Sequence, residues 1–296
     1  YDLGGYIMYK IVTDSCCDLS YQFFEKDNLE FLPMEVMLDG KTLRDDLGLT
    51  FDIDSFYTAL KNGSMPSTSQ ISIGRYLEFF KSCAKQNIPI IYISLSSGMS
   101  GSYQSALQAV DLLKEEYPDA EIAIVDSLSA SAGQGLMVYN AVQKQKEGYN
   151  FLELVSWLEA NKRSYQHWFT VEDLNHLYNG GRISKGAAAI GELLSIKPIL
   201  SVNKEGKLEV VEKVRTRKRA FQRMTDQVVQ ALEAADDKTV FIATSGDRAG
   251  AEWLKESILA KSHPKSIEVL NMGPTISSHT SYGCVGVFIK GIDSGV

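Results

Sequence analysis

Seven consecutive residues, Ser96-Ser97-Gly98-Met99-Ser100-Gly101-Ser102, carry four hydroxyls and two glycines between an apolar run and a helical pattern. The start of a helix offers unpaired N–H groups and partial positive charge, and glycine lets a ligand come close to the backbone. That chemistry suits a carboxylate or a phosphate. The plainer structural reading is that Ser100 caps the helix that follows. The spacing matches neither GxxxxGK nor GxGxxG, so no nucleotide loop is indicated.

Two further segments hold polar side chains in company. Pro66-Ser67-Thr68-Ser69-Gln70 precedes the amphipathic start Ile73-Gly74-Arg75-Tyr76-Leu77 and reads locally as another N-cap. Gly273-Pro274-Thr275-Ile276-Ser277-Ser278-His279-Thr280 reads as a polar, glycine-rimmed loop after the apolar run 267–270, with His279 either structural or functional. The other histidines, His167, His176 and His263, lack HxxxH or HExxH spacing, so no metal site is expected. Gly180-Gly181-Arg182-Ile183-Ser184-Lys185 and Lys213-Val214-Arg215-Thr216-Arg217-Lys218-Arg219 are basic clusters in an acidic chain. Solvated charge is the usual account of such runs. Their concentration points instead to one positive patch for a phosphate-bearing or acidic partner.

The elements that must position these residues follow one plan. Lys10-Ile11-Val12-Thr13 leads to Asp14-Ser15, and 89–95 leads to Ser96-Ser97-Gly98. The run 121–125 leads to Asp126-Ser127, and 239–243 leads to Ser245-Gly246. Continuous apolar strands alternating with helices predict βαβ units and a largely parallel sheet, with ligands beyond the carboxyl ends of the strands. Helical spacing runs from Ser102 through Tyr103, Ala106, Val110 and Leu113 to a stop at Tyr117-Pro118, and recurs over 151–158 and 221–234. The segment 149–165 reads as the last helix of a first domain, and Trp168-Phe169-Thr170-Val171 as the strand opening a second. The expected division is 8–165 and 166–296. Tyr1 to Tyr6 read as vector-derived and are kept out of the fold argument.

Composition bounds the class. The chain has 296 residues, 44% hydrophobic and 23% charged, ordinary usage for one large or two moderate domains. A net charge of −7 makes nucleic acid a poor partner. No apolar run reaches the ~20 residues that span a bilayer, so stable membrane insertion is not expected. The four cysteines form no CxxC pair, and a reducing cytoplasm is the simplest compartment.

Taken in order along the chain, these motifs resemble the DegV family of fatty-acid-binding proteins, which includes the carrier subunits of bacterial fatty acid kinase. The resemblance runs from Val12-Thr13-Asp14-Ser15 through Thr68-Ser69-Gln70, the loop at 96–106 and Val125-Asp126-Ser127. It continues through Glu172-Asp173-Leu174, GGRIS at 180–184, Lys197-Pro198, Lys213-Val214-Arg215-Thr216, and the late Gly273-Pro274 with His279. Two positions depart from the family pattern. Ile71 stands where a proline is usual, and Thr280-Ser281-Tyr282-Gly283-Cys284 follows the histidine where TGPGA is usual.

The resemblance implies an α/β fold of two domains, the first a Rossmann-like, largely parallel sheet with flanking helices and the second a mixed sheet. A ligand tunnel would lie between or beside them. It implies that the acyl chain lies in an apolar tunnel and that Thr68, Ser97, Ser100 and His279 hold the carboxylate, with Ser96 an alternative. It implies no catalytic residue, metal or cofactor of its own. Arg182 and Arg215 would face a separate kinase that makes the acyl phosphate. A palmitate-sized tail, with roughly fifteen carbons at ~0.8 kcal/mol each, supplies a gross drive of about 12 kcal/mol. The rivals are a serine-dependent acyl hydrolase using Ser97 or Ser100 with His279, and a phosphate- or nucleotide-binding regulatory module. Against the hydrolase, there is no GxSxG elbow and no identifiable acid to orient the histidine.

Overall fold

Apolar runs too short for buried helices become strands, and the first of them assemble into one sheet. In the computed structural model, which describes residues 9–27, 29–188 and 196–292, that sheet has the order β2-β1-β6-β7. Its strands are β1 (Lys10–Asp14), β2 (Glu30–Leu32), β6 (Ile90–Ser94) and β7 (Ile122–Asp126), and every pairing is parallel. β6 is buried along its whole length, as a strand covered on both faces must be. The helices α3 (Ile73–Ala84), α4 (Ser102–Glu116) and α6 (Phe151–Asn161) follow the expected apolar spacing. A three-stranded antiparallel sheet, β4-β3-β5, comes from the same half: β3 (Met34–Leu38), β4 (Lys41–Asp45) and β5 (Ser67–Ser69).

The second half forms a six-stranded mixed sheet of order β10-β9-β8-β13-β11-β12. It opens with β8 (Tyr165–Thr170) and β9 (Lys197–Val202), and continues with β10 (Leu208–Val214), β11 (Thr239–Thr244), β12 (Ser266–Asn271) and β13 (Val285–Lys290). Only β11 and β12 pair in parallel; the rest are antiparallel. The chain therefore has the expected two-domain α/β architecture, with a parallel sheet in the first half and a mixed one in the second. Residue 8, the last four residues and the segment Tyr1 to Tyr6 lie outside the described residues.

Between the two sheets lies α5 (Ser131–Lys146), buried at eleven of its sixteen positions and packed on strands of both. One apolar cluster runs from Ile11 and Ile93 through Leu136 and Val138 to Phe169, Phe241 and Phe288, so a single core joins the halves. The four cysteines are buried and unbridged. No helix among the described residues is long and apolar enough to cross a membrane.

Two local expectations change. Ser67–Ser69 is a strand, and α3 is capped by Ser72, whose hydroxyl accepts from the Arg75 amide. The segment after β12 is a helix, α11 (Pro274–Thr280), with proline in its first turn.

Candidate functional site

Three strand-to-helix junctions and α11 converge on one cavity, about 740 Å3 of unfilled space counting the part open to solvent. Its walls are mostly apolar, including Met34, Leu95, Leu177, Met272, Ile276 and Phe288. Thr68, Ser100, Arg182 and His279 also border it.

Thr68 is on β5, where pairing with Val36 fixes its backbone. Its hydroxyl Oγ1 lies 2.8 Å from His279 Nε2. Among the described residues His279 Nδ1 has no partner; it is buried and faces Gly180. A Cβ at Gly180 would stand 2.2 Å from that nitrogen, so only glycine leaves room for the ring. Burial, and after it the nearby Arg182 and His176, push the His279 pKa down to about 4. The ring is neutral at neutral pH. The tautomer protonated at Nε2 leaves no buried N–H without an acceptor. In that tautomer His279 donates to Thr68, and the threonine O–H is free to donate into the cavity.

The serine loop divides its work. Ser100 Oγ accepts from the Ser102 amide at 3.1 Å, donates to Ser102 Oγ, and borders the cavity. The cap position itself is Gly101, which makes no side-chain cap bond. Ser97 is exposed and outside the cavity lining; its hydroxyl donates to Asp126 at 2.5 Å. Ser96 is buried and donates to the Gly206 carbonyl at 2.7 Å, tying this loop to the β9–β10 turn.

Arg182 is half-buried. Its Nε donates to the Met99 carbonyl at 3.0 Å and its Nη1 to the Gly180 carbonyl, so it braces the serine loop while bordering the cavity. Arg215 is exposed and does not line the cavity. Thr68, Ser100, His279 and Arg182 are thus brought together; Ser97 and Arg215 stand apart.

The pattern of Ser and Asp at strand ends resolves into internal ties. Asp14, fully buried and pushed up by that burial, accepts from Tyr92, Leu95, Cys16 and Gln134. Two aspartates that sequence reasoning missed hold the N-terminus of α11. Asp18 accepts from the Gly273 amide at 2.8 Å and from Ser131 Oγ. Asp45 accepts from the Thr275 amide and hydroxyl, and burial pushes its pKa up to about 6. Nothing local marks this role, because the α11 groups they hold lie more than two hundred residues away.

The chemistry available is recognition of a small anionic or polar head beside an apolar volume. His279 has no carboxylate on Nδ1, and its one hydrogen bond goes to a threonine. No hydrogen bond joins it to Ser97 or Ser100, whose hydroxyls donate to Asp126 and Ser102.

Comparison with known proteins gives a consistent set of likenesses. The model of the family described as "Uncharacterised protein, DegV family" matches residues 8–291. A DegV domain-containing protein of Clostridium perfringens is 41% identical over 281 residues, covering 95% of this chain and 97% of that protein. The crystal structure of a fatty acid binding DegV family protein from Streptococcus agalactiae superposes with a TM-score of 0.85 at 31% identity, covering 96% of this chain and 99% of that one. A stearic acid-binding protein from Eubacterium ventriosum superposes with a TM-score of 0.83 at 29% identity, with the same two coverages.

Proposed function

We propose, from the premise that the chain belongs to the DegV family, that it carries one long-chain fatty acid, tail in the apolar cavity and carboxylate at the polar edge. The observation that carries this reading is the Thr68–His279 pair beside Ser100 and Arg182, set on a cavity whose walls are mostly apolar. The fatty acid binding of the Streptococcus agalactiae and Eubacterium ventriosum proteins supports it. The tail supplies most of the drive, about 12 kcal/mol gross for roughly fifteen carbons before ordering costs. Hydrogen bonds to the charged head, about 1.5–3 kcal/mol each, orient it.

The carrier hands the acid to a separate kinase for acyl-phosphate formation. The resemblance of the GGRIS and VRT segments supports this step, together with exposed Arg215 and the bordering Arg182. Arg182 then serves the head group as well as the incoming phosphate. Catalysis by the chain itself finds no support in His279, whose Nδ1 has no orienting acid among the described residues. A reducing cytoplasmic setting suits four buried free thiols.

The test is native mass spectrometry of the purified protein followed by lipid extraction. One equivalent of a C14–C18 acid is expected. No stoichiometric lipid, together with no uptake of added palmitate, overturns the proposal.

A further inference from the structure

The mixed sheet meets the cavity with Phe169 on β8 and, two residues away along that strand, with a row of four side chains. Phe288 on β13 pairs directly with His167 on β8. Continuing the pairing of Phe169 with Leu200 two residues along each strand sets His167 beside Val202 on β9, which pairs with Leu208 on β10. Directly opposed residues point to the same face. All four, Leu208, Val202, His167 and Phe288, line the cavity. Tyr165, two residues before His167 on the same face, does not; its hydroxyl is held by Asn140. Among the described residues of this sheet, the lining therefore ends at this row. Cys284, at the α11 side of the cavity, is four residues before Phe288, roughly 13 Å at the rise of a strand.

The row is held rigidly. The His167 and Phe288 rings meet edge to face, centroids 5.4 Å apart. His167 Nδ1 donates to the Tyr165 carbonyl at 3.1 Å, and its Nε2 accepts from the Ala130 amide. Both nitrogens are thereby engaged, so His167 has no donor to spare for a ligand. Behind the ring is Gly133 of α5, where a Cβ would lie 2.2 Å from Nε2.

We infer that the row centred on His167 and Phe288 is the end wall of the tail site and sets the longest acyl chain the protein accepts. This rests on the carrier reading of the cavity. Each methylene taken from water raises affinity about fourfold, until the tail meets the wall. Beyond that point an added methylene must displace packed side chains, and affinity levels off or falls.

The experiment measures the affinities of saturated acids from C10 to C20 for the full chain, by displacement of a fluorescent fatty acid. Wild type is expected to climb about fourfold per methylene and then break. Phe288→Leu should move the break to longer chains by about one or two methylenes. Gly133→Ala, which pushes His167 toward the cavity, should move it to shorter chains by a similar amount. Val202→Phe adds bulk at the partly exposed end of the row and gives the same shortening if Gly133→Ala does not fold. Folded variants that bind acids with the wild-type break overturn the wall and leave the carrier reading intact. A wild type that binds no acid of any length overturns the carrier reading, and the wall with it.

Discussion

Thr68 and His279 are 211 residues apart in sequence and share a hydrogen bond of 2.8 Å across the edge of the cavity. The pair links the small antiparallel sheet to α11. In the carrier reading it acts as one unit, the imidazole aiming the threonine O–H at the carboxylate. Thr68→Val, which keeps the shape and removes the hydroxyl, should weaken fatty acid binding by roughly ten- to a hundredfold without abolishing it. Equilibrium binding of palmitate checks this. An unchanged affinity removes the pair from the site.

Gly180→Ala separates the position of His279 from its presence. The new Cβ meets Nδ1 at 2.2 Å, so the ring must turn away from Thr68. The variant should match His279→Ala: a folded protein that retains lipid but presents the carboxylate poorly. Kinase-dependent phosphorylation should then fall more than affinity. A full thermal transition beside wild-type phosphorylation in both variants refutes the positioning role.

Arg215→Ala and Arg182→Ala should part company. Arg215 stands clear of the cavity, so its loss should spare binding and lower acyl-phosphate formation, as a rim charge that guides docking does. Arg182 braces Met99 and borders the cavity, so its loss should reduce both. Palmitate affinity measured beside turnover with the cognate kinase decides, and equal effects from the two variants contradict the division.

Acid should act on the histidines and aspartates in opposite senses. His167 and His279 are both pushed down to about 4 by burial, from 6.5 in the unfolded chain. Between pH 6.5 and about 4 the unfolded chain therefore binds more protons at these rings. Their contribution is complete above pH 6.5 and is lost as pH falls toward 4. Asp45, pushed up to about 6 from 3.8, runs the other way and favours the folded state as pH falls through 6. NMR titration should show both imidazoles neutral at pH 5.5. A midpoint near 6.5 for either ring contradicts its burial.

Much of the first sheet was legible because strand, polar junction and helix recur in its sequence with the right periods. β1, β6 and β7 appear where apolar runs end in Ser or Asp. The helix α5 left no trace of that kind, because a helix buried between two sheets is apolar on more than one face and shows no stripe. α11 read as a loop for the opposite reason. Its hydroxyls are buried but serve local carbonyls, Ser278 donating to Pro274, Thr280 to Ile276 and Ser277 to Met272. That back-bonding hides a helix behind loop-like residues. The segments of Thr68 and His279 drew notice separately as a cap and a polar loop, but their pairing could not be read, since only the fold brings two distant segments within bonding reach.

The core that α5 threads through both sheets has a consequence for traffic in and out of the cavity. Parting the two halves like a clam would expose Leu136, Phe169 and Phe241 together, at several kcal/mol of apolar surface. The rim is held more lightly: the β9–β10 turn meets the serine loop through the Ser96 to Gly206 hydrogen bond and close packing on Gly98 and Leu128. In the carrier reading, a cargo that passes at the rim leaves the waist shut, and its exchange depends on local contacts there rather than on the stability of the fold.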